Sequence, residues 1–142
     1  MRSYDNPQLM SVHFEQVDFG AGGNETRVLA LPTDARDTGD TGPRFRGGRV
    51  VAALVHNITE DFLGSSSDAG ILVGTAGDTD LYFETGLVLD ETADVGESIW
   101  LVGDGTAIDI PESAAGFITV TFIAGTGTMT GIADVELYID LF

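Results

Sequence analysis

The side chains of this sequence that are best suited to chemistry are few. Cysteine is absent, which excludes disulfides, thiolate metal ligands and cysteine nucleophiles. The histidines are His13 and His56, and neither has a serine or a carboxylate at a spacing typical of a catalytic site. Both fall in segments with the alternation of β-strands, so we interpret them as packing or interface residues rather than general bases.

An Asp-Thr-Gly motif occurs twice in tandem, at Asp37–Gly39 and Asp40–Gly42. The triplet resembles the active site of aspartic proteases, in which two carboxylates share a proton. The residue ahead of the first motif is Arg36, whereas that family places apolar residues there. Since Asp, Thr and Gly all favour turns, we interpret the motif as a turn segment and predict no catalytic residues.

Acidic side chains cluster in loop segments, where they could supply oxygen ligands to Ca²⁺. None of the clusters has the spacing of an EF-hand, and a chain this acidic brings aspartates together without forming a metal site. We therefore predict solvated loops, with no metal and no cofactor. The residues concerned are Asp78, Asp80, Asp90, Glu91, Asp94 and Asp104.

The net charge is strongly negative and unevenly distributed. The chain of 142 residues carries 23 acidic and 6 basic residues, a formal net charge of −17. All the basic residues are arginines, and none lies beyond Arg49. Because an acidic surface repels phosphate backbones, we expect no nucleic-acid partner. The arginines either meet an acidic or polar partner or neutralise the domain's own carboxylates.

Length and composition indicate a single folded domain spanning residues 1–142. A hydrophobic fraction of 43% is sufficient for a core in a chain of this length. The sequence has no apolar segment as long as a membrane span, and Met1–Met10 lacks the apolar centre of a signal peptide. We therefore expect neither a membrane partner nor export through a signal peptide.

Alternation of apolar and polar residues predicts a chain made almost wholly of β-strands. The clearest run is Ala133–Phe142, which we expect to be held within a sheet up to the C-terminus. Arg49–Asn57 is apolar on both faces, which predicts a central strand covered on each side, with a helix as the alternative. Thr59–Leu63 and Glu112–Ala115 offer the only places for a helical turn. The other predicted strands are Met10–Phe14, Arg27–Leu31, Gly70–Thr75, Leu81–Glu84, Leu87–Leu89, Ser98–Val102 and Phe117–Ala124.

Many short strands separated by turn residues predict an all-β sandwich, and we predict a jelly roll. An Ig-like sandwich or an OB-type barrel is the alternative. The segment Pro32–Gly48, which we call the arginine arm, is rich in Gly, Pro and Arg and predicts an extended arm or loop. Trp100 lies in an apolar run and is predicted to belong to the core. If Trp100 is instead exposed, it could form a sugar-binding platform with Tyr82.

Three segments resemble the head decoration proteins of tailed bacteriophages, also called cement or capsid auxiliary proteins. The segments are Val51–Phe62, Ile71–Asp80 and Gly125–Phe142. The resemblance covers roughly the C-terminal two-thirds of the chain and includes no catalytic or ligand-binding motif. It implies a small β-sandwich that binds the outer surface of an icosahedral head as a homo-oligomer and bridges neighbouring capsid subunits.

On this basis we predict a non-enzymatic virion structural protein, made in the host cytoplasm and located on the outer surface of the capsid. Its partners would be the major capsid protein and copies of itself, with a trimer as the first expectation and a dimer as the second. The alternative is a glycan-binding module of a phage tail or surface protein that uses Tyr82, Trp100 and a loop Ca²⁺. The residues predicted to contact the capsid or a neighbouring subunit are Arg36, Arg44, Phe45, Arg46 and Arg49.

Overall fold

The described residues form nine β-strands and no helix. The computed structural model describes residues 8–20, 25–30, 47–63, 69–84, 94–102, 108–109, 117–124 and 130–141. In this part of the chain there is accordingly no helix of the length and hydropathy needed to cross a bilayer. In chain order the strands are β1 (Gln8–Asp18), β2 (Glu25–Ala30), β3 (Gly47–Leu63), β4 (Gly70–Gly74), β5 (Phe83–Glu84), β6 (Ile99–Leu101), β7 (Ile108–Asp109), β8 (Phe117–Ile123) and β9 (Thr130–Leu141).

The strands form two antiparallel sheets in jelly-roll order. One sheet has the order β1-β9-β3-β6, with β7 also paired to β3, and the other has the order β2-β8-β4-β5. The pairing is nested, since β1 joins β9, β2 joins β8, β3 joins β6 and β7, and β4 joins β5. This nested pairing is that of a jelly roll, in which one long antiparallel hairpin folds into two Greek keys. Strands β6 and β7 both pair with β3 and together take the place of one jelly-roll strand. The predicted jelly-roll-like β-sandwich is confirmed, and the alternative Ig-like and OB-type orders do not fit.

The core lies between the sheets and consists of apolar side chains. Edge-to-face contact between the rings of Phe14 and Phe122, with centroids 5.2 Å apart, joins the two layers. Each such large side chain contributes about 1.5–3 kcal/mol when it is withdrawn from water. Among the described residues the buried polar side chains are Thr119, Thr121 and Asp134. The largest side chains that are almost completely buried are Phe19, Phe62, Phe83, Phe122, Ile71, Leu101, Ile108, Ile118, Leu137 and Ile139.

Strand β9 has the alternation that the sequence predicts. Ala133, Val135, Leu137 and Ile139 are fully buried, while the residues between them face away from the core. The strand lies between β1 and β3, so both of its edges are hydrogen-bonded. The expectation that this segment is tied into a sheet is confirmed, and its position is central rather than at an edge.

Strand β3 differs from the prediction in its length. Thr59–Leu63 belongs to this strand of 17 residues, so the predicted helical turn there is wrong. Three register shifts against β9 displace the inward-facing residues, and Ile58 and Phe62 are buried four positions apart. The buried residues of this irregular segment are therefore four positions apart, which is also the spacing of one face of a helix.

The outer face of β3 is more open than predicted for a strand covered on both sides. Val51 is 42% exposed, and Leu54 is half-buried. Two residues of the arginine arm, Gly47 and Gly48, belong to β3, whereas residues 32–46 lie outside the described part of the chain. The predicted strand Leu87–Leu89 and the predicted turn Glu112–Ala115 also lie outside the described residues, and β7 was not predicted.

Candidate functional site

Polar side chains concentrate on the outer face of the β1-β9-β3-β6 sheet, over the middle of β9. His13 on β1 lies opposite Glu136 in the strand register, and His56 on β3 lies opposite Asp134. Because alternate residues of a strand face the same way, these side chains project from the face turned away from the core. We call His13, His56, Asp134 and Glu136 the histidine–carboxylate cluster.

Asp134 is the most buried member of the cluster, with 6% of its surface exposed. Its Oδ1 accepts hydrogen bonds from the backbone N–H of Gln16 at 2.8 Å and from Gln16 Nε2 at 2.7 Å. Its Oδ2 lies 3.0 Å from His13 Nε2 and accepts a bond from Asn57 Nδ2 at 3.3 Å. Burial raises the pKa of Asp134, but these hydrogen bonds outweigh burial and lower the pKa to about 2. The carboxylate is therefore ionised at neutral pH.

Irregularities in both flanking strands direct donors towards Asp134. On β1 and on β3 a register shift lies beside this residue. Within the two shifts, Gln16 and Asn57 have φ angles of 45° and 47°, in a left-handed region that few residues other than glycine adopt. Thr59 donates from Oγ1 to Gln16 Oε1 at 2.6 Å and holds that side chain in place. Bulges that redirect side chains are typical of functional sites, and these two converge on one carboxylate.

His13 lies between two carboxylates. Its Nδ1 is 3.0 Å from Glu136 Oε1, and its Nε2 is 3.0 Å from Asp134 Oδ2. The hydrogen bond with Glu136, helped by that with Asp134, outweighs desolvation and raises the pKa of His13 above its usual 6.5. With a carboxylate at each ring nitrogen, the protonated imidazole is the favoured form of this side chain.

Glu136 is held by a second donor. The hydroxyl of Tyr138 donates to Glu136 Oε2 at 2.6 Å. This bond, together with the bond from His13, lowers the pKa of Glu136, and the same contact raises the pKa of the Tyr138 hydroxyl. Tyr138, Glu136, His13 and Asp134 thus form a continuous chain of hydrogen bonds across β9 and β1.

His56 completes the cluster from the opposite side. Its ring meets the ring of His13 edge-on, with centroids 5.6 Å apart. Its Nε2 is buried without a hydrogen-bond partner, and Glu136 Oε1 is 3.7 Å away, beyond hydrogen-bonding distance. One ligand atom each from His13, His56 and Asp134 lies within 4.8 Å of the others. The arrangement has the donor types of a transition-metal site.

An exposed apolar surface adjoins the cluster on the same face, and we call it the apolar stripe. It consists of the exposed Val51, Trp100 and Val102 and of the half-buried Leu54. Trp100 lies opposite Leu54 in the strand register and is 59% exposed, and Val102 is 69% exposed. The Trp100 ring packs at a tilt against Tyr138, with centroids 5.5 Å apart. The prediction that Trp100 belongs to the core is therefore wrong, because Ile99 and Leu101 turn inward and leave it on the outer face.

The residues predicted to make capsid contacts are only partly within the described chain. Arg36, Arg44, Phe45 and Arg46 lie outside it, as do Asp37 and Asp40 of the tandem motif. Arg49 is exposed on β3 opposite Asp140, on the same face as the cluster. It does not join the cluster, and it lies at the end of β3 where the arginine arm enters.

The acidic loops and Tyr82 do not form a site in the described residues. Asp78 and Asp80 are exposed in a turn, where a hydrogen bond between them raises the pKa of Asp78. Asp94 is exposed as well, and Asp90, Glu91 and Asp104 lie outside the described residues. Tyr82 is only 6% exposed and packs in the core, so it offers no platform for a sugar.

Sequence reasoning missed the histidine–carboxylate cluster because its members are far apart in the chain. His13 and Asp134 are separated by 121 positions and meet only because β1 pairs with β9. One signal was available, since the acidic residues of Ala133–Phe142 alternate with its apolar ones and must share one face of the strand. Placing the histidines beside them required the strand order.

The fold and its surface define a jelly-roll protein whose open sheet face carries the cluster and the stripe. No protein-family model matches the chain, and no curated protein matches it. Among solved structures, a chain described as "Cyanophage Pam1 capsid asymmetric unit" is 13% identical with a TM-score of 0.39, covering 96% of this chain and 86% of that one. Another, "Crystal structure of decameric BFDV Capsid Protein", is 11% identical with a TM-score of 0.32, covering 96% and 98%. Similarity at this level decides neither family nor function, and the jelly roll rests on the strand order.

Proposed function

We propose that this protein is a non-enzymatic virion structural protein, a decoration or cement protein that binds the outer surface of an icosahedral phage head. In this role it stabilises contacts between capsid subunits. The observation that supports the proposal best is the apolar stripe, where Trp100 and Val102 are 59% and 69% exposed on the outer face of the β1-β9-β3-β6 sheet. Contiguous apolar surface of this kind marks sites of protein association.

The charge of the chain favours the outside of a head over its inside. A net charge of −17 repels packaged DNA, whose backbone is itself densely charged. The site of action under this proposal is the outer capsid surface, after synthesis in the host cytoplasm. An acidic body also limits non-specific association between free copies, so binding depends on particular contact residues.

The arginine arm supplies the second part of the proposed contact. The residues that would contact the major capsid protein or a neighbouring copy are Arg36, Arg44, Phe45 and Arg46. Arg49 follows the arm in the chain and lies on the outer face of β3, the face that carries the apolar stripe. A guanidinium pairs well with carboxylates at interfaces. Copies arranged as a trimer, or alternatively a dimer, would repeat each weak contact and strengthen the whole by multivalency.

Cosedimentation of the full chain with purified heads tests the proposal. We expect saturable binding that falls when Trp100 and Val102 are both changed to serine, because apolar contact area is lost. The matched control is Val28→Ser, since Val28 is 67% exposed on β2 of the other sheet. Absence of saturable binding by the unaltered chain would refute the proposal.

The contribution of the arm is tested separately by changing Arg36, Arg44 and Arg46 to glutamine and Phe45 to alanine. Substitution is preferable to deletion of the whole arm, because Gly47 and Gly48 belong to β3. We expect reduced occupancy on heads with an unchanged thermal midpoint. Unchanged occupancy would remove the arm from the proposed contact and leave the apolar stripe as its basis.

A second candidate function, glycan binding, is favoured by the exposure of Trp100 beside Tyr138. An exposed aromatic surface of this kind could stack against the apolar face of a sugar ring. A glycan array probed with and without Ca²⁺ distinguishes the two functions. Saturable binding of one glycan class, abolished by Trp100→Ala, would favour this candidate over capsid decoration.

A further inference from the structure

The histidine–carboxylate cluster unites all the imidazole groups of the chain. The sequence has 2 histidines, and both lie on the same sheet face with their rings 5.6 Å apart. They come from β1 and β3, on opposite sides of β9, and Asp134 lies between them. The expectation of no metal site rested on sequence spacing, which carries no information about residues joined by strand pairing.

The donor atoms of the cluster are spaced for a small cation. His13 Nε2 and Asp134 Oδ2 are 3.0 Å apart, and a nitrogen of His56 is the third atom of a set whose members lie within 4.8 Å of one another. Zinc bonds of about 2.0–2.1 Å in a tetrahedron place neighbouring ligand atoms about 3.3 Å apart. A span of up to 4.8 Å exceeds this spacing, so the His56 nitrogen must approach the other two atoms when an ion binds.

The unused nitrogen of His56 is the second indication. His56 Nε2 is buried and has no hydrogen-bond partner, although almost all buried polar atoms of folded proteins have one. The polar side-chain atoms of His13, Asp134 and Glu136 are hydrogen-bonded, including Asp134 Oδ1, which accepts both bonds from Gln16. A metal ion placed between the rings would give this nitrogen a partner.

The surroundings of the cluster match the outer shell of a metal site. Glu136 Oε1 lies 3.0 Å from His13 Nδ1, the nitrogen that points away from Asp134. A carboxylate in this position fixes the orientation of a metal-binding histidine and raises its basicity. Glu136 is itself held by the hydroxyl of Tyr138, so the ring of His13 is oriented by two successive hydrogen bonds.

We propose that His13, His56 and Asp134 bind a divalent transition-metal ion of the zinc class. Two imidazole nitrogens and one carboxylate oxygen suit zinc better than Ca²⁺ or Mg²⁺, which prefer oxygen ligands. Glu136 and Gln16 act as positioning residues, and the fourth coordination position is left for water. The ion would join β1, β9 and β3 and stabilise the sheet by mass action.

Titration of the full chain with Zn²⁺ tests this site, with ¹⁵N-labelled histidine followed by NMR and with calorimetry in parallel. We expect one ion per chain, shifts of both imidazole rings and a higher thermal midpoint. His56→Ala should abolish saturable binding without loss of the fold, since His56 Nε2 makes no hydrogen bond. Glu136→Gln should weaken binding by roughly 10–100-fold, as removal of an outer-shell partner does.

The control is Asp78→Asn, which removes the same charge as Glu136→Gln but from an exposed acidic turn. It should leave the affinity unchanged. Weak binding of several ions that is insensitive to His56→Ala, or that falls equally in Asp78→Asn, would show non-specific attraction to an acidic chain and overturn the proposal. Zn²⁺ that shifts neither ring would overturn it as well. Neither result bears on the proposed binding to phage heads, which is measured separately by cosedimentation.

Discussion

Asp134 shows how much a single residue of this protein depends on its neighbours. The carboxylate receives bonds from the backbone and side chain of Gln16, from Asn57 and from His13. Each bond favours the ionised form, so a buried acid that would otherwise resist ionisation has a pKa of about 2. The strand bulges on either side exist in a strained conformation that these same bonds stabilise.

The pH dependence of stability follows from the direction of these shifts. The pKa of Asp134 falls from 3.8 to about 2 on folding, so its contribution is complete above pH 4 and is lost as the pH falls towards 2. The shift corresponds to roughly 2 kcal/mol. The pKa of His13 is raised, so its contribution is complete below 6.5 and is lost as the pH rises through the raised value. The network is therefore most stabilising between these limits.

Urea unfolding at pH 5 and at pH 2.5, in the presence of a chelator, measures the contribution of Asp134. We expect the unaltered chain to lose about 1.5 kcal/mol more than Asp134→Asn over this interval, because part of the contribution remains at pH 2.5. Asp140→Asn removes an equal charge from the same face of β9 and retains the network, so it should follow the unaltered chain. Equal losses in Asp134→Asn and the unaltered chain would contradict the assigned pKa.

Gly131 is a second residue whose identity the packing dictates. Its φ angle is 149°, and a Cβ there would lie 2.5 Å from Cδ1 of the fully buried Phe62 ring. We expect Gly131→Ala to lower the free energy of unfolding by about 1–3 kcal/mol through overpacking and backbone strain. Chemical denaturation checks this, with Gly77→Ala as the control, since a Cβ at Gly77 meets nothing within 4 Å. Equal midpoints for the two variants would contradict the prediction.

At the scale of the element, predictability depended on regular pairing. The alternation in β9 predicted which side chains face the core, because an uninterrupted strand preserves its period of two. Thr59–Leu63 was assigned wrongly because register shifts against β9 break that period. Trp100 was misplaced for another reason, since β6 pairs only with β3 in the described chain and a short apolar run does not reveal which residue faces outward. The cluster was unpredictable because it requires knowledge of the strand order.

The central position of β9 predicts a strong dependence of stability on its buried residues. Ile139 is fully buried and lies opposite Met10 on β1 and Val50 on β3. We expect Ile139→Ala to cost about 2–5 kcal/mol, since the cavity lies between two paired neighbours that cannot collapse freely. Unfolding by denaturant gives the value, and Asp140→Ala on the opposite face of the strand is the control. A cost below about 1 kcal/mol would contradict the close packing of Ile139 between β1 and β3.

For the molecule as a whole, charge governs folding and binding in opposite ways. A net charge of −17 destabilises the compact state by self-repulsion, and the acidic residues after Arg49 have no basic residue beside them in sequence. Raising the ionic strength screens that repulsion, because the Debye length falls to about 10 Å at 0.1 M salt. The same screening weakens any contact that the arginines make with an acidic partner.

Thermal midpoints and head binding measured across the same salt series separate these effects. From about 0.02 to about 0.5 M NaCl we expect the thermal midpoint to rise, because salt screens the repulsion between acidic residues. We expect occupancy on heads to fall, because salt also screens the pairing of the arginines with acidic groups of the partner. Choline chloride at equal ionic strength is the control, and it should reproduce both trends if screening is the cause. Occupancy that holds steady while the midpoint rises would assign docking to the apolar stripe alone, since burial of apolar surface does not weaken over this range of salt. A midpoint that falls with salt would contradict the charge argument itself.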